Sequence, residues 1–378
     1  MSNKRLKTEK GIYININPPF PKKVYLKEKD DNDLNTNTDN DNDEVLLINN
    51  IDYEYEEINY NKEIEDINDL IIIGSNLKIK IGKRYNFDVY KLKRLLPILK
   101  DINNLVGLND LKKKIFELSI YYLQDDLELC YKNKLHTVFT GPPGVGKTMI
   151  ANIYCKFLVQ LGILETEKII KATRADLIAG YLGQTYTKTK KKIMEAIGGI
   201  LFIDEVYSLG NSEGKDSFSK ECIDCINEHL TLYQGRFICI IAGYKEDVRN
   251  CFFKYNIGLE SRFGIYIDFK EYDGEELMKI FKLKIVKENW NIGDDIDVEI
   301  FKKNKELFKY NGRDIETLFE ITKLVHAKRV LLLSKKEKKY IIMKDIEKAI
   351  EVYKLNDNII DRTKNSIYNS YILSSIYM

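Results

Sequence analysis

From residue 102 onward the chain alternates two hydrophobic patterns. Short runs centred on apolar residues, at 136–140, 168–172, 200–204, 237–242 and 265–269, predict buried strands. Between them, at 110–123, 149–161, 185–197 and 216–233, apolar residues recur three and four positions apart, the spacing of a helix with one buried face. Strands alternating with helices predict an α/β fold, a parallel sheet covered by helices on both faces. Ligands of such sheets gather at the carboxyl ends of the strands. After Tyr272 only the helical pattern remains, at 275–290, 297–308, 314–333 and 344–353, which predicts a small all-helical lid domain.

The pattern is weaker upstream. Runs at 70–74 and 77–82 read as two strands around a turn and 90–99 as a short helix, so residues 45–100 are expected to form a small appended module or arm. Residues 1–44 are expected to be disordered. They begin basic and polar, with Pro18, Pro19 and Pro21, and end in an Asp/Asn run that lacks the glycine and closing glutamate of a calcium loop. The expected division is therefore 1–44, 45–100, an α/β nucleotide-binding domain at 101–272, a lid at 273–355 and a polar tail at 356–378.

Composition narrows the classes. The 378 residues are 44% hydrophobic, enough for a sizeable core, and 60 Lys+Arg against 58 Asp+Glu argue against a globally basic nucleic-acid binder. No apolar run reaches membrane-spanning length and none follows the basic start, so an intracellular, soluble (cytoplasmic) protein without a membrane partner is expected. The six cysteines are scattered. Cys222 and Cys225 have no second pair and read as neighbouring helix positions.

The chemistry concentrates at Gly141-Pro142-Pro143-Gly144-Val145-Gly146-Lys147-Thr148, a complete G-x-x-x-x-G-K-[ST] phosphate loop between a strand and a helix. Its glycines let the backbone curl until several N–H groups aim at one spot, where the helix N-terminus adds positive charge, and a polyphosphate is the natural occupant. Lys147 is placed to reach the β- and γ-phosphates and the Thr148 hydroxyl to ligate Mg²⁺. Fifty-seven residues after Lys147 an apolar strand ends in Asp204 and Glu205. Asp204 can hold the Mg²⁺ shell, and Glu205 can orient and polarise an attacking water.

Residues 102–355 resemble an AAA+ ATPase, and within that superfamily the CbxX/CfxQ family. The phosphate loop and Asp204-Glu205 are shared by AAA+ proteins generally. The stretches Gly180-Tyr181-Leu182-Gly183-Gln184-Thr185 and Ala242-Gly243-Tyr244-Lys245 carry the narrower likeness. The resemblance implies ATP with Mg²⁺ as ligands, hydrolysis, self-association into a ring and an unidentified protein substrate remodelled through a central pore. It implies that Tyr181 and Leu182 form the pore loop, although by spacing alone Tyr181 reads equally as a tyrosine packed at a helix start. Arg262 matches the arginine finger that reaches a neighbour's γ-phosphate. Glu260 stands where a second arginine is usual, and Ile257 lies where a proline is expected. Arg313 matches the lid's sensor arginine, Tyr244 occupies the position of a polar sensor residue, and Val106 and Gly107 match the backbone that contacts adenine. Two alternatives stand beside the remodeller: a nucleotide-gated scaffold that recruits a partner through residues 1–100, and a nucleic-acid motor using the basic run Lys188, Lys190, Lys191 and Lys192. For that run a solvated helix face is the simpler reading.

Overall fold

A computed structural model of the chain describes residues 5–7, 13–15, 56–58 and, apart from short gaps, 60–360, the longest gaps being 125–133 and 211–215. The chain divides into two compact units, residues 1–58 with 80–84, and 59–79 with 85–378. In the first, β1 (Arg5–Lys7) pairs antiparallel with β2 (Tyr13–Asn15), and β3 (Glu56–Ile58) pairs with β4 (Lys83–Tyr85). The β1–β2 ribbon falls within the stretch expected to be disordered. The rest of residues 1–44, and the tail beyond residue 360, lie outside the described residues.

The second unit opens with a departure from the sequence reading. Residues Ile67–Asn76 form one helix, α1, where a strand was expected from residue 70. Asp66 accepts the Asp69 N–H and caps its start, while Ile67, Leu70, Ile73 and Gly74 are buried at helical spacing. Gly74 lets the helix approach α2 (Val89–Asn103) closely, since a Cβ there would meet Leu96 Cδ2 at 2.7 Å. A run of unbroken apolar residues suits either element, and packing against α2 selects the helix. Leu92, Leu95 and Leu99 of α2 join the same core as Phe139 and Tyr154, and Arg94 Nε donates to the Gln160 carbonyl at 2.6 Å. Helices α1 and α2 thus contribute to the same hydrophobic core as the helices and strands that follow.

After α3 (Asn109–Leu123) the predicted alternation follows: β5 (His136–Thr140), α4 (Lys147–Gln160), β6 (Ile169–Ala172), α5 (Arg174–Leu177), α6 (Thr185–Glu195), β7 (Ile200–Ile203), α7 (Ser217–Leu232), β8 (Ile238–Gly243), α8 (Lys245–Cys251), α9 (Ile257–Glu260) and β9 (Phe263–Asp268). The five strands make a parallel sheet in the order β6-β7-β8-β5-β9. Side chains alternate across it. Phe139, Phe202, Ile240 and Ile267 face one core, and Val138, Leu201, Ile203 and Ile241 face the other. The central strands β5, β7 and β8 are buried on both faces, whereas the edge strand β9 alternates buried and exposed residues. Strand order reverses at β5, so its carboxyl end opens a crevice, and the glycine-rich loop stands there.

The lid comprises α10 (Gly274–Lys287), α11 (Val298–Lys303), α12 (Asn311–Val330) and α13 (Met343–Lys354), packed around Phe281, Phe301, Phe319 and Tyr353. It is not purely helical, because β10 (Asn291–Ile292) and β11 (Tyr340–Ile341) pair in parallel. These pieces are too short to leave a period-2 signal. Among the described residues no helix is long and apolar enough to cross a membrane.

Candidate nucleotide site

The loop after β5 is shaped by glycines that other residues could not replace. Gly141, Gly144 and Gly146 have φ of 145°, 77° and 89°. A Cβ on Gly141 would meet the Phe269 carbonyl oxygen at 2.3 Å, and one on Gly144 the Tyr310 carbonyl oxygen at 1.9 Å. Gly146 caps α4, whose first N–H groups have no carbonyl within the helix to bond and point out of its end with the positive pole of the helix dipole. Lys147 Nζ donates to the carbonyls of Gly141 at 2.7 Å and Pro142 at 2.9 Å, so the lysine closes the loop on itself.

Two acids face the loop from the end of β7. Thr148 Oγ1 donates to Asp204 Oδ2 at 3.4 Å, and the Glu205 N–H donates to Asp204 Oδ1 at 3.0 Å. Glu205 is held at φ 49°, ψ 45°, a left-handed conformation costly for a non-glycine residue, and its side chain is exposed at the cleft. The turn that follows, Val206–Leu209, brings Tyr207 against Tyr244 with ring centroids 5.8 Å apart. Lys147 Nζ lies 5.9 Å from the Tyr244 ring centroid. Burial lowers the pKa of Lys147 and Arg313 adds to that, while Asp204 and Glu205 act to raise it. Together these residues and Arg313, from the first turn of α12, line a cleft of about 450 Å³. Its other wall comes from Tyr272, Ile280 and Glu316, which lie at or after the linker to the lid.

The remaining predicted residues lie elsewhere. Gly107, at φ 63°, passes beside Tyr272, where a Cβ would come 3.4 Å from Cε1. Lys112 pins this stretch by donating to the Asn103 and Leu105 carbonyls at 3.2 and 2.7 Å, and Val106 lies within it, half-buried. Arg262 precedes β9, whose Phe263 pairs with His136 at the start of β5. The phosphate loop leaves the other end of β5, roughly 15 Å away at 3.3 Å per residue. Arg262 does not line its own cleft. Tyr181 is 74% exposed on the loop between α5 and α6, and Cβ atoms on Gly180 or Gly183 would meet open space. Leu182 lies outside the described residues. In the basic run, Lys188 Nζ donates to the Ala175 and Ile178 carbonyls and Lys192 pairs with Glu195, so both hold the structure locally. Cys222 and Cys225 sit buried on α7, and burial pushes their thiols up to about 11 and about 12.

Sequence reasoning missed Tyr207, Tyr272 and Asn311. Tyr272 and Asn311 touch the loop from more than a hundred positions away, and their one local signal is the turn-forming Asn311-Gly312 pair ahead of a helix.

The family model for the ATPase family associated with various cellular activities (AAA) matches residues 137–270. A cfxQ-like protein of Acanthamoeba polyphaga mimivirus is 38% identical over 309 residues, covering 80% of this chain and 75% of the viral protein. The chain belongs to the CbxX/CfxQ family of AAA+ ATPases. The stage V sporulation protein K of Bacillus subtilis is 36% identical over 250 residues, covering 63% of this chain and 77% of that protein. A CfxQ homolog of Trieres chinensis is 31% identical over 290 residues, covering 72% and 97%. This AAA+ chain is an ATP-hydrolysing enzyme, and by homology its domain implies ATP and Mg²⁺ binding. The donor set suits both: an ammonium and helix N–H groups for phosphate, and a hydroxyl and a carboxylate oxygen 3.4 Å apart for a hard cation.

Proposed function

We propose that this AAA+ ATPase assembles head to tail into a ring and remodels a protein substrate drawn against its central pore. The nucleotide-binding part would be residues 101–272 and the lid 273–355. The N–H groups of Gly141–Thr148 receive the phosphates, Lys147 leaves its loop carbonyls for the β- and γ-phosphates, and Val106 and Gly107 border the base. Thr148 and Asp204 would hold Mg²⁺, which when bound supplies charge neutralisation between the β- and γ-phosphates. Glu205 orients the attacking water, and Arg313 carries the state of the γ-phosphate into the lid.

The observation that carries the ring is the placement of Arg262. An arginine at the opposite end of β5 from the loop does not reach the nucleotide cleft of its own chain, and it sits half-buried beside β9. Among the described residues its Nε is buried with no hydrogen-bond partner. In a head-to-tail assembly that end meets the next subunit's cleft, where a guanidinium stabilises the transferring phosphoryl group. Exposed Tyr181, flanked by glycines with room to move, supplies an aromatic grip on a polypeptide.

The test is ATP turnover measured against protein concentration, with mass in solution, for wild type and Arg262→Ala. The ring reading expects specific activity to rise as the assembly forms and to fall at least about 100-fold in the variant, which still binds nucleotide. Turnover indifferent to both concentration and Arg262 would sink it.

A further inference from the structure

The carbonyls of the phosphate loop point to a residue outside the loop that governs its shape. Each peptide of a curled loop can direct its N–H or its carbonyl inward, and phosphate binding requires the N–H. Lys147 holds the carbonyls of Gly141 and Pro142. The next three are held from the linker and the lid. Asn311 Nδ2 donates to Pro143 O at 3.3 Å, the Gly312 N–H to Gly144 O at 3.0 Å, and the Tyr272 hydroxyl to Val145 O at 3.1 Å. Lys147 must let go of its two carbonyls to reach a phosphate, so the donors that stay are those of Tyr272, Asn311 and Gly312.

Asn311 organises the other two. Its Oδ1 accepts the Tyr272 N–H at 3.0 Å, which places the Tyr272 ring and hydroxyl, and its Nδ2 also reaches Lys309 O at 3.4 Å. It is 2% exposed and sits at φ 49°, a left-handed conformation that asparagine tolerates better than most side chains. That backbone turns the Gly312 N–H onto Gly144, where there is little room, since a Cβ on Gly312 would lie 3.0 Å from Gly144 O. An amide that both donates and accepts, in a left-handed residue between linker, lid and loop, is hard to replace.

Resting on the reading of this cleft as the nucleotide site, we propose that Asn311 is a positioning residue for nucleotide binding. Its amide bridges Tyr272 and Pro143, keeps the loop carbonyls turned away from the phosphate position, and makes the seating of the lid a condition of phosphate affinity. Asn311 touches no substrate. It acts on the loop before hydrolysis, so its loss falls on affinity rather than on the chemical step.

Three variants separate the contributions. Asn311→Asp keeps the acceptor and the left-handed backbone but loses the donor to Pro143. Asn311→Gly keeps only the backbone. Tyr272→Phe removes the hydroxyl bond to Val145 and leaves the rest of the ring in place. Steady-state ATP turnover gives KM and kcat, calorimetry gives the Kd for Mg–ADP, and a thermal melt checks folding. Losing one ordinary hydrogen bond is expected to raise KM and Kd about fivefold in Asn311→Asp and Tyr272→Phe, and about tenfold or more in Asn311→Gly, with kcat within about twofold. A purely structural role would lower the melting temperature and leave KM unchanged. Should Asn311→Gly not fold, the near-isosteric Asn311→Asp decides. Folded variants whose KM and Kd stay within about twofold of wild type would overturn the proposal. Lys147→Ala, measured alongside, tells two failures apart. If it abolishes Mg–ADP binding while the three variants bind normally, Asn311 alone has been misread. If Lys147→Ala itself binds normally, the nucleotide-site reading falls and this proposal with it.

Discussion

Gly144 shows how narrow the tolerance of the loop is. Its φ is 77°, and a methyl group there would lie 1.9 Å from the backbone oxygen of Tyr310, with no flexible side chain to give way. Gly183 has the same φ, but an added methyl meets open space. Gly144→Ala is therefore expected to weaken Mg–ADP binding at least about 30-fold, because loop and lid cannot keep their contact. Gly183→Ala carries only backbone strain of about 1 kcal/mol and should leave that affinity within about twofold. Calorimetry on the two purified variants checks the contrast. The sequence makes the loop legible, since the spacing of three glycines, a lysine and a threonine is a contiguous signal. It does not reveal which glycine abuts the lid, because Tyr310 reaches Gly144 only once two distant segments have folded together. Asp204 and Glu205 are legible for the same reason as the loop. Tyr207, Tyr272 and Asn311 are not, for their roles lie in distances rather than spacing.

Strand β5 illustrates the scale of the element. At its start His136 is buried, with Nδ1 accepting the Cys239 N–H at 3.0 Å and its ring near Phe237 and Phe263. Burial is the main cause that lowers its pKa to about 4, opposed by a hydrogen bond to the Leu230 backbone and aided by Arg262. In the unfolded chain the value returns to the ordinary 6.5. The unfolded state therefore takes up the proton first. The contribution is complete above pH 6.5 and is lost as pH falls toward 4, amounting to about 3 kcal/mol over that window. Urea midpoints at pH 7, 5.5 and 4.5 should decline more steeply for wild type than for His136→Asn, and parallel declines would count against this assignment. In the same sheet β7 and β8 are legible because burial on both faces leaves unbroken apolar runs. The same signal misled at Ile67–Asn76, where the Asp66 cap and the approach of Leu92 and Leu96 across Gly74 select a helix.

For the whole molecule, the alternation of strands and helices followed by helices alone makes the α/β part and the lid readable in the sequence. The tie of α2 to the phosphate-loop helix was not readable, since it rests on Arg94 meeting the carbonyl of Gln160 and on leucines that share one core. A ring in which each cleft borrows an arginine from its neighbour makes a prediction at this scale. Subunits carrying both Glu205→Gln and Arg262→Ala should bind nucleotide, turn it over at no more than about 1% of the wild-type rate, and enter assemblies with wild type, where an active cleft needs its own Glu205 and a neighbour's Arg262. An equimolar mixture is then expected to retain about one quarter of wild-type turnover or less, whereas independent subunits would retain about half. A titration of variant into wild type at constant total protein measures the curve.

The left-handed backbone at Glu205 has a consequence for the history of the chain. A glycine there would relieve strain of about 1 kcal/mol while removing the carboxylate that we propose orients the attacking water. Thermal robustness and turnover thus pull this position in opposite directions. A lineage that kept the assembly but no longer needed the fuel would gain stability by drifting away from glutamate, so this position is where a retired motor would first record its retirement.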